Sequence, residues 1–167
     1  MQIDHKVITD YFQYLATKHK KIAGYFRMDL TEIQGAFRGT AEIPCLVLES
    51  HEGDLSGSSR QQTVNDRTFA FTIYTKPRHG DYDEQNQRLA DSETIGLSVI
   101  ARMKHDATLP VHFLYNKFQV ETVSYAKVGP VFNEHLYGYR FVGSIMGNEP
   151  LKVNVDDWLD GPEICVK

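Results

Sequence analysis

Cysteine is scarce in this chain of 167 residues: Cys45 and Cys165 are the only two, which excludes a disulfide framework and any C-x-x-C metal or redox pair. The seven histidines, His5, His19, His51, His79, His105, His112 and His135, show neither H-x-x-x-H nor H-E-x-x-H spacing. No zinc-type ligand set is therefore expected, and solvated or hydrogen-bonded imidazoles are the favoured reading. Neither G-x-S-x-G nor G-x-x-x-x-G-K-[ST] occurs, which removes the nucleophile elbow and the phosphate-cradling loop. No stretch approaches the roughly 18 apolar residues of a membrane span, and MQIDHKVITDYFQYL lacks the apolar core and small-residue cleavage site of a secretory leader. A cytoplasmic protein is expected. Excess positive charge is missing too, since the formal net charge is −4, which argues against a general binder of nucleic acid or anionic membrane. The basic knot Lys18-His19-Lys20-Lys21 reads as cations suited to a helix C-terminus. These absences predict a monomer surface that binds neither nucleic acid nor membrane, and a protein without catalytic residues, cofactor or metal.

What the chain has is apolar patterning. Its 41% hydrophobic content suffices for one globular domain that buries about two-thirds of its unfolded surface. Ile3, Val7, Ile8, Tyr11, Phe12 and Leu15 recur at spacings of three and four, which predicts an amphipathic helix from Ile3 to Lys18. His19 to Phe26 reads as a connector, with Gly24 as breaker and Tyr25-Phe26 as an apolar anchor. Asp29 is placed to cap a short helix through Leu30–Phe37, with Glu32 as its capping-box partner and Gly39 at the exit. Pro44 pushes Ile43 toward extended geometry and opens Cys45-Leu46-Val47-Leu48, a run that belongs mid-sheet with Cys45 buried and inert.

Residues 51–62, rich in Gly and Ser, read as a polar loop that is either mobile or ordered only against a neighbour. Thr63 to Thr75 alternates through Phe69, Phe71 and Ile73, a strand with one buried face and one that is wet or covered by a partner. Beyond Pro77 comes the longest helix, in which Leu89, Gly96, Ile100 and Met103 share a face before an end near His105. Asp81, Asp83 and Glu84 at its start form the sharpest acidic cluster. A cation site or a general acid–base pair is one reading of them, but carboxylates meeting unpaired N–H groups and the positive end of the dipole explain them more cheaply. Val111 to Val128 reads as one long extended segment, or as two strands with a bend at Asn116-Lys117. Gly129-Pro130 and Asn133-Glu134-His135 connect it to a last strand, Tyr137 to Met146.

The expected order is α-α-β-β-α-β-β, an α+β domain over residues 1–150 with an antiparallel-rich sheet of about four to five strands and helices on one face. Residues 151–167 are expected to form an acidic arm or an extra strand, since Leu151, Val153 and Val155 alternate before Asp156, Asp157 and Asp160. Trp158 amid these acids either packs back on its own domain or anchors an interface. Tyr137 and Tyr139, flanking Gly138, share one face of their strand as core-edge packing or as a subunit contact.

Taken in order, several pieces of the chain form a recognisable set: Phe26-Arg27-Met28-Asp29 with Glu32 and Arg38, Ile43-Pro44-Cys45-Leu46-Val47-Leu48-Glu49, Gly80-Asp81-Tyr82-Asp83, Ile100-Ala101-Arg102-Met103, and Tyr137-Gly138-Tyr139-Arg140-Phe141. The set resembles small proteins encoded in tail-assembly regions of bacterial prophages and contractile tail-like particles. The element order is similar to that of tail terminator, or tail-completion, proteins. That resemblance implies a ring-forming α+β structural subunit that stops tube growth and joins tail to head, with no catalytic residues to carry over. It also implies partners in the chain itself and in tail-tube or sheath proteins, with a cytoplasmic location during assembly and then a place in the virion or tail-like particle. A ring interface is head-to-tail and needs two different complementary patches. The expected interface residues are Asp54, Leu55, Arg60, Tyr74, Tyr137, Tyr139 and Trp158. The competing expectation is a small-molecule enzyme or ligand-binding domain with a pocket lined by Tyr82, His112 and Tyr139, and Asp81 or Asp83 as acid or base. A third is a binding adaptor that covers a partner without forming a ring.

Overall fold

Helix α1 spans His5–Lys18 and begins where Asp4 accepts a hydrogen bond from the Val7 N–H at 2.8 Å, so one orphan donor of the first turn is satisfied by a side chain. Its Ile8, Tyr11, Phe12 and Leu15 stripe is buried, and Lys18 lies in the last turn, as the sequence predicts. The computed structural model describes residues 3–27, 42–59, 62–131, 135–149 and 151–161. The short helix expected over Leu30–Phe37, with its Asp29 cap, lies outside the described residues, as does Arg60.

The connector expected from His19 to Phe26 ends instead in a strand, β1 (Gly24–Arg27), parallel to β2 (Cys45–Leu48). Four residues of mixed burial carry no legible period, and the pairing that makes them a strand is supplied from beyond residue 41. Gly24 is needed there for closeness, since a Cβ would stand 2.7 Å from the Glu42 carbonyl oxygen. All four residues of β2 are buried, the expected central position.

The polar loop expected over 51–62 is largely a strand, β3 (Glu52–Ser59), in antiparallel register with β4 (Gln62–Thr75) from Glu52↔Thr68 to Ser56↔Val64. Backbone hydrogen bonding holds this hairpin while the side chains of residues 52–57 stay exposed, so no apolar alternation marks it. Helix α2 (Tyr82–Asp106) has Asp81 as its cap, accepting from the Glu84 N–H at 2.9 Å, and that cap reading of the acidic cluster accounts for Asp81. Leu89, Gly96, Ile100 and Met103 are all buried. Close approach is what Gly96 permits, because a Cβ there would lie 2.0 Å from the Phe141 ring.

The extended segment expected from Val111 is a series of turns to residue 117 and a 3-10 turn at Val120–Thr122, and strand β5 starts only at Ser124 (Ser124–Val131). Leu114 and Phe118 drop into the core while Val111 is 98% exposed, and Asn116 has φ 56°, so these apolar residues fasten a loop and do not alternate along a strand. Strand β6 (Leu136–Asn148) pairs with β4 on one side and β5 on the other.

The fold is α+β. Six strands lie in the order β1-β2-β4-β6-β5, with β3 on the free half of β4, and all pairs but β1–β2 are antiparallel. The described order is thus α1-β1-β2-β3-β4-α2-β5-β6, which corrects the expected α-α-β-β-α-β-β and raises the strand count. Both helices cover one face of the sheet, where Phe12, Leu46, Phe69, Phe71, Ile95, Val99, Phe141 and Ile145 form the main core. Ser92 ties helix to sheet by donating to the Ile73 carbonyl at 2.7 Å and accepting from the Tyr139 N–H at 3.0 Å. The other face carries a smaller cluster of Cys45, Val47, Tyr74 and Leu136. Ala70, Thr72 and Tyr74 are buried on it within the chain itself, so at these positions this face of β4 is neither wet nor left for a partner to cover, contrary to the expectation.

Candidate functional site

Function on this scaffold has to be sought where side chains leave the core, and the expected interface residues divide accordingly. Asp54 and Leu55 are exposed on β3, Leu55 at 57%, and Trp158 is 59% exposed on the segment after β6. Tyr137 and Tyr139 are half-buried, and Tyr139 packs edge-on against Tyr125 with ring centroids 5.9 Å apart. Tyr74 is buried among Cys45, Val47 and Leu136, and offers little surface to a neighbour. The cause is register: Tyr74 lies opposite Cys45 in the pairing of β2 with β4.

After Asn148, the chain is pinned by the Arg67–Glu149 ion pair, buried and 2.6 Å long. Residues 151–161 then hold one 3-10 turn, Val155–Asp157, and form no strand despite the alternation of Leu151, Val153 and Val155. Leu151, Val153, Trp158 and Leu159 are exposed along this arm.

The three side chains expected to share a pocket are dispersed. Tyr82 begins α2 and is 76% exposed, while His112 lies past its other end, roughly 36 Å away along a helix of this length. Tyr139 sits on the sheet between them. Around His112 is a different constellation. The nearly buried Asp106 carboxylate accepts from the Tyr11 hydroxyl at 2.9 Å and from Arg102 Nε at 2.8 Å, and His112 Nε2 lies 4.0 Å away. Burial first, then the bond to Asp106, pushes the Tyr11 hydroxyl's pKa up, and burial pulls that of His112 down. Every polar group there has a structural partner, and the node fastens α1, the end of α2 and the following loop together. Cys45 is likewise inert: burial pushes its pKa up to about 12, so the reactive thiolate is disfavoured, as expected from sequence.

A basic hollow at one end of the sheet escaped the sequence reading. Lys76, Arg78, His79, His135 and Tyr137 line a cavity of about 450 Å³, with the His79 and His135 rings 5.7 Å apart. The sequence signal was present in Lys76-Pro77-Arg78-His79, three basic-type residues in four positions, but its partner His135 comes from the far end of the β5–β6 connection. A second hollow, of about 290 Å³, shares Lys76 and adds Arg88. No helix among the described residues is long and apolar enough to cross a membrane. No protein-family model matches this chain, and no curated protein matches its sequence.

Proposed function

We propose that this protein is a structural subunit of a phage tail or tail-like particle, a ring-forming tail terminator or completion protein that acts by protein–protein contacts. The observation that carries the reading is the arm over residues 151–161, which presents Leu151, Val153, Trp158 and Leu159 to solvent within nine positions. Apolar residues scattered singly over a surface need no explanation, but a short segment that exposes four of them is built to be covered. A second copy of the chain is the occupant proposed. A closed ring needs a donor patch and a different acceptor patch on each subunit, and the arm supplies the first. The outer edge of β5 supplies the second, a sheet edge whose first four residues are exposed and which has no further strand paired to it among the described residues, so that it can take an added strand.

Native mass spectrometry and light scattering over a concentration series test this directly. The full chain is expected to form one closed oligomer, and Trp158→Ala with Leu159→Ala is expected to return it to monomer without loss of fold. A full chain that stays monomeric at high concentration and fails to bind tail-tube protein defeats the reading. A one-to-one complex with another protein, in place of a ring, would favour the adaptor.

A further inference from the structure

We propose that the basic hollow at the end of the sheet is a binding site for a phosphate oxyanion, a role independent of the assembly reading. The hollow is formed by the turn between β4 and α2 on one wall and by the start of β6 on the other. Lys76 and Arg78 supply fixed positive charge, and the His79 and His135 rings lie tilted at 48° with centroids 5.7 Å apart, so that each imidazole brings an N–H donor to the same hollow.

The charge balance leaves room for an anion. Glu84, on the first turn of α2, is shared by two guanidiniums, with Arg78 Nε at 3.5 Å and Arg88 Nη2 at 3.2 Å, and it also accepts from the Arg78 N–H at 3.1 Å. Asp81 is committed to capping α2. Lys76 has no ion-pair partner among the described residues. The described residues that line the hollow include Lys76 and Arg78 and no carboxylate, in a chain whose overall charge is negative. Charge-assisted hydrogen bonds from such donors are the strong kind, and phosphate, with three or four oxygens, can use several at once.

The backbone also suits a fixed site. Each of the two turns that line the hollow holds one residue in the left-handed region, His135 at φ 52° and Gly80 at φ 80°. A volume of about 450 Å³ exceeds what one phosphate fills, so the phosphate group of a larger small molecule fits as well as the free ion.

The test is a titration of the full chain, followed by two-dimensional amide NMR and calorimetry, with inorganic phosphate, pyrophosphate and a nucleoside 5′-monophosphate, at constant ionic strength set with chloride. Saturable shifts at Gly80, His79 and His135 are expected, weakened at least tenfold by Lys76→Ala and by His135→Asn. Asn tolerates the left-handed backbone at position 135, and Lys76 is exposed, so both variants are expected to melt like the parent. Equal affinity for phosphate and nucleotide identifies the free ion as ligand, and at least tenfold tighter nucleotide binding identifies a phosphate ester. Absence of saturable shifts, their reproduction by chloride alone, or binding unchanged in Lys76→Ala overturns the proposal.

Discussion

Strand β4 passes through two environments, and the contrast separates what holds this molecule together from what it offers to others. In its second half, Phe69, Phe71 and Ile73 have no exposure, sealed under α1 and α2, with Phe12 tilted against both phenylalanines at 5.4 Å and Phe141 stacked on Phe71 at 5.1 Å. In its first half the same strand pairs with β3, whose side chains over 52–57 face solvent, and Asp54 stands opposite Asp66. The ladder of hydrogen bonds continues through both halves, while the apolar packing stops. Buried aromatic area therefore supplies stability in one half, and the other half is left with surface free to change without loss of fold.

The largest expected effect lies in the packed half. Phe71→Ala removes a ring that touches both Phe12 and Phe141 and should cost about 3–5 kcal/mol, whereas Leu55→Ala on β3 should stay within about 0.5 kcal/mol. Urea denaturation of the two variants measures both, and similar losses would abolish the contrast.

An intermediate effect concerns pH. Burial lowers the pKa of His112 beside Asp106 and, aided by His5 and Arg67, that of His51 where β2 passes to β3. Both imidazoles are neutral in the folded and unfolded chain above about pH 6.5. As pH falls through that value the unfolded chain takes up protons first, so stability should decline as pH drops below about 6.5. Thermal melts across this window should flatten in His112→Gln, which lies in the packed region. In His51→Gln they should flatten less, because the β3 hairpin can open locally. Equal flattening would place both regions in one cooperative unit.

The smallest effect has the opposite sign. Like charges directly opposite one another in a sheet repel, and the Asp66 Oδ1 atom is buried without a hydrogen-bond partner. Asp54→Thr should therefore stabilise the hairpin by a few tenths to about 1 kcal/mol, detectable as slower amide exchange in β3. Faster exchange would mean that the pair is held in place by something other than the strand register.

Much of the packed region was legible in the sequence. The α1 stripe, the Asp81 cap, the four-residue run of β2, the Phe69-Phe71-Ile73 alternation and the small residue at Gly96 all carry local marks that survive folding. Strand β1, the β3 hairpin and the turns of 111–123 depart from the sequence expectation because each owes its form to a distant partner. The same reason hid Tyr74 in the core and the histidine pair at the basic end.

The sequence by itself determined the fold class, because periodicity and capping act within a few residues and apolar burial must follow them. Only the tertiary structure decided which face of each strand stays wet, which exposed residues cluster on the arm, and that His79 meets His135 across 56 positions of chain. Side-chain chemistry is written locally. Convergence depends on strand order and register, which are set by pairings between segments that the linear order keeps apart.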